Sequence, residues 1–298
     1  MTPRTDLTRR RLLQVGAAAP LAVAAPALLT GAGPRGGVDE VRALERRFGA
    51  TIGFHAGVVG GRATLSHRAD EPVPIHSVFK ALLAAAVLRD LDRRGEVLER
   101  RITYTRADLV DYSPVTELHV DEGMTVRELC DAAVRISDNT AANLLLDLLG
   151  GPSAITRFAR SLGDDGTRLD RWEPELNEAT PGDPRDTTTP RAAAHSLTRL
   201  LVGRALSCPD RAVLRDWMLR NTTSDDRFRK GLPPGWRLAD KTGSGSVTFN
   251  DAGVAVPPRG RPLVLSAFVR LPAPDVPASQ QIHAELARIA VRRLHRER

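Results

Sequence analysis

The sequence predicts an α/β fold joined to an all-α one. It calls for an antiparallel five-stranded sheet flanked by the N- and C-terminal helices, an inserted all-helical domain, and an active site between the two. Three observations lead there. Extended, strand-like patterns occur only near residues 50–68 and 236–271, the stretch between them is almost entirely helical in periodicity, and amphipathic helices open and close the globular chain.

Residues 1–32 read as an export signal. "TRRRLLQVG" precedes an apolar run from Ala17 to Leu29 and then Gly/Pro breaks. The Thr-Arg-Arg-x-Leu-Leu pattern resembles the twin-arginine signal of bacterial export, so the partner here is the export machinery and the destination is outside the cytoplasm. Cleavage fits after Ala27 or Ala32. The run is too short and too Pro-interrupted for a membrane span, and no cysteine follows it closely, so no stable membrane anchor is expected.

Next comes a helical pattern over 38–49, with Val41, Leu44 and Phe48 on one stripe and Gly49 as its stop. Strand-like residues 50–59, a Gly60-Gly61 turn and residues 62–68 make a hairpin. In the helical block Phe79, Leu83, Val87 and Leu91 share one stripe, ended by Gly95. Extended character returns at 236–246, 247–257 and 262–271, before a last amphipathic helix near 279–295. The domains that follow are 38–70 with 219–298, and 71–218 inserted between them.

Composition narrows the function. Charged residues make up 27% of the chain and hydrophobic ones 42%, the balance of a soluble globular protein, while aromatics at 4% leave packing to Leu, Val and Ala. The net charge of +7 raises the question of nucleic acid, but four arginines against one aspartate lie in residues 1–32. The other arginines alternate with acids, as in "RDLDRRGEVLERR", which marks a solvated helix face; nucleic-acid binding is excluded on that ground. Cys130 and Cys208 are too few for a disulfide framework and wrongly spaced for zinc, and the histidines form no metal-binding set. No metal and no cofactor are expected.

The chemistry rests on four ordered motifs. In "HSVFK", Ser77 and Lys80 are three apart, about one helical turn, so a lysine amine can sit beside a serine hydroxyl that needs a base to become nucleophilic. Among 43 basic residues only Lys80, Lys230 and Lys241 are lysines, and lysine, unlike arginine, can give up its proton when buried. "SDN" (Ser137, Asp138, Asn139) and "KTG" (Lys241, Thr242, Gly243) follow; singly they read as a helix cap and a strand edge. The fourth is "RWEPELN", residues 171–177.

Together these resemble the serine β-lactamases and penicillin-binding proteins, and "RWEPELN" is similar to the omega loop of class A β-lactamases. The resemblance implies a monomeric, exported hydrolase of penicillin- and cephalosporin-type antibiotics, a small-molecule β-lactam as partner, and resistance as the outcome. By the same likeness the catalytic residues are Ser77, Lys80, Ser137 and Glu173. Substrate is held by Asn139, Lys241, Thr242 and Ser244, and Asn177 holds the hydrolytic water. Arg171 and Asp186 would pin the loop, leaving Asp170 and Glu175 as structural acids. The nearest cation for a substrate carboxylate is Arg227, with a solvent-facing arginine as the alternative. Tyr112 would flank the entrance, or be an exposed loop tyrosine. His76, just before the nucleophile, is expected to pack. The family's disulfide partner for Cys130 falls on Ala84, so that bridge cannot form. A D-alanyl peptidase or esterase, or a β-lactam sensor that stays acylated, would keep Ser77, Lys80 and Ser137 without needing the carboxylate of the loop.

Overall fold

The computed structural model describes residues 34–295, and the export-signal reading of residues 1–32 lies outside them. Helix α1 (Pro34–Phe48) ends at Gly49, whose φ of +61° suits a residue without a side chain. Strands β1 (Thr51–Val58) and β2 (Thr64–His67) form the hairpin. The two-residue strand β3 (Val73–Pro74) then leads through a 3-10 turn, His76–Val78, into helix α2 (Phe79–Ala86).

Every residue of α2 is buried. The sequence predicts one apolar stripe, yet "FKALLAAA" is apolar all round apart from Lys80, and such a helix belongs in the middle of a core rather than at its surface. Lys80 is thereby carried into the interior.

Strands β4 (Arg101–Ile102) and β5 (Met124–Thr125) pair with each other, and helices α3 (Val126–Asp131), α4 (Asn139–Leu149) and α5 (Ser153–Ser161) follow. Strand β6 (Thr187–Thr188) pairs with β3, so the chain leaving the 171–186 loop is tied to the chain entering the nucleophile's turn. These two-residue ladders within the helical block are a departure from expectation: two residues carry no periodicity to read. Helices α6 (Pro190–Leu201), α7 (Cys208–Leu219) and α8 (Phe228–Gly231) come next, then strands β7 (Arg237–Ser244), β8 (Thr248–Val256) and β9 (Leu263–Arg270), and helix α9 (Val276–Leu294).

The five long strands make one antiparallel sheet in the order β2-β1-β9-β8-β7, as expected. Side-chain alternation splits its two faces. Leu263, Leu265, Ala267 and Val269 join Ile52 and Phe54 under α1 and α9, while Val264 and Phe268 face the core built around α2. The edge strand β7 runs beside the His76–Val78 turn, and the chemistry collects along that edge.

Cys130 and Ala84 are both fully buried, and Cys130 and Cys208 are free thiols.

Candidate active site

Ser77 is half-buried in the 3-10 turn. The turn is clamped from β8: Asn250 donates through Nδ2 to the carbonyls of Pro74 (2.9 Å) and Ile75 (3.2 Å). Strand β7 presses on it so closely that a Cβ on Gly243 would stand 2.9 Å from the His76 Cβ and 3.2 Å from the Ser77 nitrogen. Gly245 donates its N–H to the Thr248 carbonyl at 2.8 Å, so the neighbouring Ser244–Phe249 pair is the non-bonded type. The Ser244 N–H therefore turns away from β8, toward the open edge where Ser77 lies.

Lys80 donates to the Ser137 carbonyl (2.8 Å) and to Asn139 Oδ1 (2.5 Å) and reaches Ser137 Oγ at 3.5 Å. Its Nζ is also ion-paired with Glu173 Oε1 at 3.0 Å, both side chains being fully buried. Burial pulls the Lys80 amine below its ordinary value and the Glu173 carboxylate opposes the pull.

Ser137 sits at φ +70°, a left-handed conformation that ends the helical run before it and turns its hydroxyl between two amines. Lys241 Nζ is 3.1 Å from Ser137 Oγ and donates to the Thr242 carbonyl at 2.9 Å. Burial, with Lys80 and Arg227 nearby, holds Lys241 well below the usual amine range. Asp138 does cap α4, accepting from the Ala141 N–H, and also takes the N–H groups of Val115 and Thr116, which fixes the loop ahead of the helix. Asn139, on the first turn of α4, gives Nδ2 to the Asp111 carbonyl and its backbone N–H to the carbonyl of Tyr112. Tyr112 itself is 59% exposed, at φ +63°.

The 171–186 loop is pinned by Asp186, which is buried. It accepts from Arg171 Nε (2.6 Å) and from the backbone N–H groups of Asp170 and Arg171. Asp170 pairs with Arg168, and Glu175 is exposed. Glu173 is buried beside a cis bond to Pro174. Its Oε2 accepts from Asn177 Nδ2 at 2.5 Å, while Oε1 faces the Lys80 amine at 3.0 Å.

Sequence reasoning missed Asn143. Its side chain brackets the Glu173 peptide, accepting from the N–H at 3.0 Å and donating to the carbonyl at 2.9 Å. The available signal was spacing: Asn143 lies four residues after Asn139, on the same face of α4.

Arg227 is not solvent-facing. It is 8% exposed, donating to the Gly243 carbonyl (3.0 Å), the Asn250 carbonyl and Ser244 Oγ (2.7 Å). A guanidinium thus stands directly behind the Ser244 hydroxyl. Thr242 is buried one residue from Lys241 and shares a hydrogen bond with Thr223. His76 exceeds the packing role expected of it: it is fully buried, with Nδ1 3.0 Å from Asn177 Oδ1 and Nε2 2.6 Å from Thr248 Oγ1.

The arrangement holds one half-buried hydroxyl, two buried amines, a second hydroxyl between them, and a buried carboxylate with a spare lone pair. Such a set can form and then hydrolyse an ester on Ser77.

Comparison with known proteins agrees with this geometry. Residues 38–294 match the β-lactamase enzyme family. A β-lactamase of Streptomyces fradiae is 54% identical over 295 residues, covering 94% of this chain and 95% of that one. Among solved structures, an ancestral class A β-lactamase superposes with a TM-score of 0.83 at 53% identity, covering 86% of this chain and 98% of the other. The β-lactamase from Streptomyces albus G gives 0.83 at 50% identity, covering 87% and 100%.

Proposed function

Because this chain belongs to the class A β-lactamases, enzymes that hydrolyse β-lactams, we propose that it opens the ring of penicillin- and cephalosporin-type antibiotics through an acyl-enzyme on Ser77. The observation that carries this reading is Glu173 itself, a buried carboxylate 3.0 Å from Lys80 and held by Asn177. An acyl-enzyme that turns over needs such an acceptor; one that only forms does not.

In acylation Ser77 Oγ attacks the lactam carbonyl carbon. Its proton passes through a water to Glu173 or directly to Lys80, whose amine burial pulls below its ordinary value. The N–H groups of Ser77 and Ser244 stabilise the oxyanion. As the C–N bond breaks, Ser137 delivers its proton to the ring nitrogen and regains one from Lys80, which holds the Ser77 proton or recovers it from Glu173, so that Glu173 enters deacylation as a carboxylate. A water then gives a proton to Glu173, its oxygen bonds to the ester carbon, and the ring-opened acid leaves as Ser77 regains its hydrogen. Asn177 holds this water together with Glu173.

For recognition, Asn139 keeps one Nδ2 hydrogen after serving Asp111, and that hydrogen donates to the carbonyl of a substrate's amide side chain. The substrate carboxylate meets Thr242, Ser244 and the Lys241 and Arg227 cations, and Tyr112 flanks the entrance. Residues 1–32 direct the protein out of the cytoplasm. No described helix is long and apolar enough to cross a membrane.

Nitrocefin turnover followed by intact mass tests the reading. Sustained hydrolysis with the unmodified mass returning supports it; a single stable adduct supports a penicillin-binding protein or sensor.

A further inference from the structure

His76 joins the three elements that bound the nucleophile. Its backbone belongs to the Ser77 turn, Nδ1 meets Asn177 of the loop at 3.0 Å, and Nε2 meets Thr248 of β8 at 2.6 Å. The β7–β8 connection is shaped around the ring. A Cβ on Gly245 would stand 2.7 Å from His76 Cε1 and 3.0 Å from Nε2, contacts that real Cβ atoms do not make against a fixed ring.

The hydrogen bonds have only one consistent direction. The Glu173 carboxylate accepts, so Asn177 must present its NH2 there and its Oδ1 to His76. An amide oxygen only accepts, so His76 carries its proton on Nδ1. With the ring neutral, Nε2 then accepts from the Thr248 hydroxyl. Burial, which disfavours the charged ring, acts in the same sense. Donors therefore run from Thr248 through His76 and Asn177 to Glu173, and each link leaves the next side chain one orientation.

We infer that His76 is a positioning residue for deacylation. By fixing the amide of Asn177 it sets which Glu173 oxygen is engaged and which stays open to the hydrolytic water. This rests on the Glu173 reading above. Deacylation needs Glu173, whereas acylation can proceed with Lys80 as base beside Ser77 and Ser137, none of which His76 touches through a side-chain hydrogen bond, so the two half-reactions should separate.

Single-turnover kinetics with a penicillin and intact mass provide the test. In His76→Phe, which fills the space without the polar links, deacylation should slow by about ten- to a hundredfold while acylation stays within about threefold. Acyl-enzyme then accumulates, and kcat and KM fall together with kcat/KM retained. His76→Asn, whose amide can still donate to Asn177, should restore more deacylation than His76→Gln, whose amide reaches toward Thr248. Unchanged deacylation, an equal loss of acylation, or equal rescue by both amides overturns the inference. Should His76→Phe fail to fold, Thr248→Val carries the same test, with a several-fold loss in deacylation alone expected. Glu173→Gln is run alongside. If it accumulates adduct and His76→Phe does not, only the His76 role fails; if it does not, both readings fall.

Discussion

Glu173 Oε1 lies 3.0 Å from Lys80 Nζ, with both side chains fully buried. The Glu173 carboxylate offsets part of what burial costs the Lys80 charge, and removing one partner outright would strand the second at a cost of about 3–5 kcal/mol. A site of this kind is best probed with isosteric changes. It also explains why so Arg-rich a chain carries a lysine here: a guanidinium stays charged and could not share a proton with its neighbours.

Arg227→Ala should lower kcat/KM by about ten- to a hundredfold, the effect of losing one charge-assisted contact. The guanidinium stands 2.7 Å from Ser244 Oγ and 3.0 Å from the Gly243 carbonyl, so it supports the carboxylate-binding edge and supplies its charge. Steady-state kinetics on a substrate and on its methyl ester separate the two contributions: with the ester the charge contribution drops out, and the gap between wild type and variant should narrow to the structural part.

Stability should depend on pH through Asp240 and Asp251. Burial raises both above the usual carboxylate range; the Asp240 carboxylate pushes Asp251 up the further, while the hydrogen bond from Asp251 eases the ionisation of Asp240. The folded protein thus keeps a proton that the unfolded chain releases near pH 4. The resulting stability is complete below that pH and is lost as pH rises through the folded values, by up to about 1.4 kcal/mol per pH unit per proton. Denaturant titrations should show Asp251→Asn gaining on wild type as pH rises; parallel curves would contradict this.

Export should depend on Arg9 and Arg10. Replacing both by lysine keeps the charge but not the twin-arginine pattern, so β-lactamase activity should be retained inside the cell. Undiminished exported activity would point to the general secretory route.

The sheet could be read from sequence because its long strands are short extended runs bounded by turn residues, and their edges fall within a few residues of the observed Thr51–Val58, Arg237–Ser244, Thr248–Val256 and Leu263–Arg270. The site was readable wherever a residue announces itself by local spacing, as in Ser77 with Lys80 or Glu173 with Asn177. What stayed hidden depends on distant pairings. The partners of His76 lie 101 and 172 residues away, so adjacency to Ser77 said nothing about them. Asn250 holds Pro74 and Ile75 from 176 and 175 residues away. The burial of Arg227 likewise follows from the packing of α8 against α9 and from its hydrogen bonds to β7 and β8, which no local pattern records.

The most direct measurement is intact mass after mixing Glu173→Gln and Glu175→Gln with a penicillin. Glu173 is buried against Lys80 and held by Asn143 and Asn177, whereas Glu175, two residues on, is exposed. Removing a general base slows its step by about 10²–10⁴. Glu173→Gln should therefore accumulate a covalent adduct on Ser77, while Glu175→Gln retains most turnover and returns to the unmodified mass. Adduct in the Glu175 variant with continued turnover in the Glu173 variant would contradict the account.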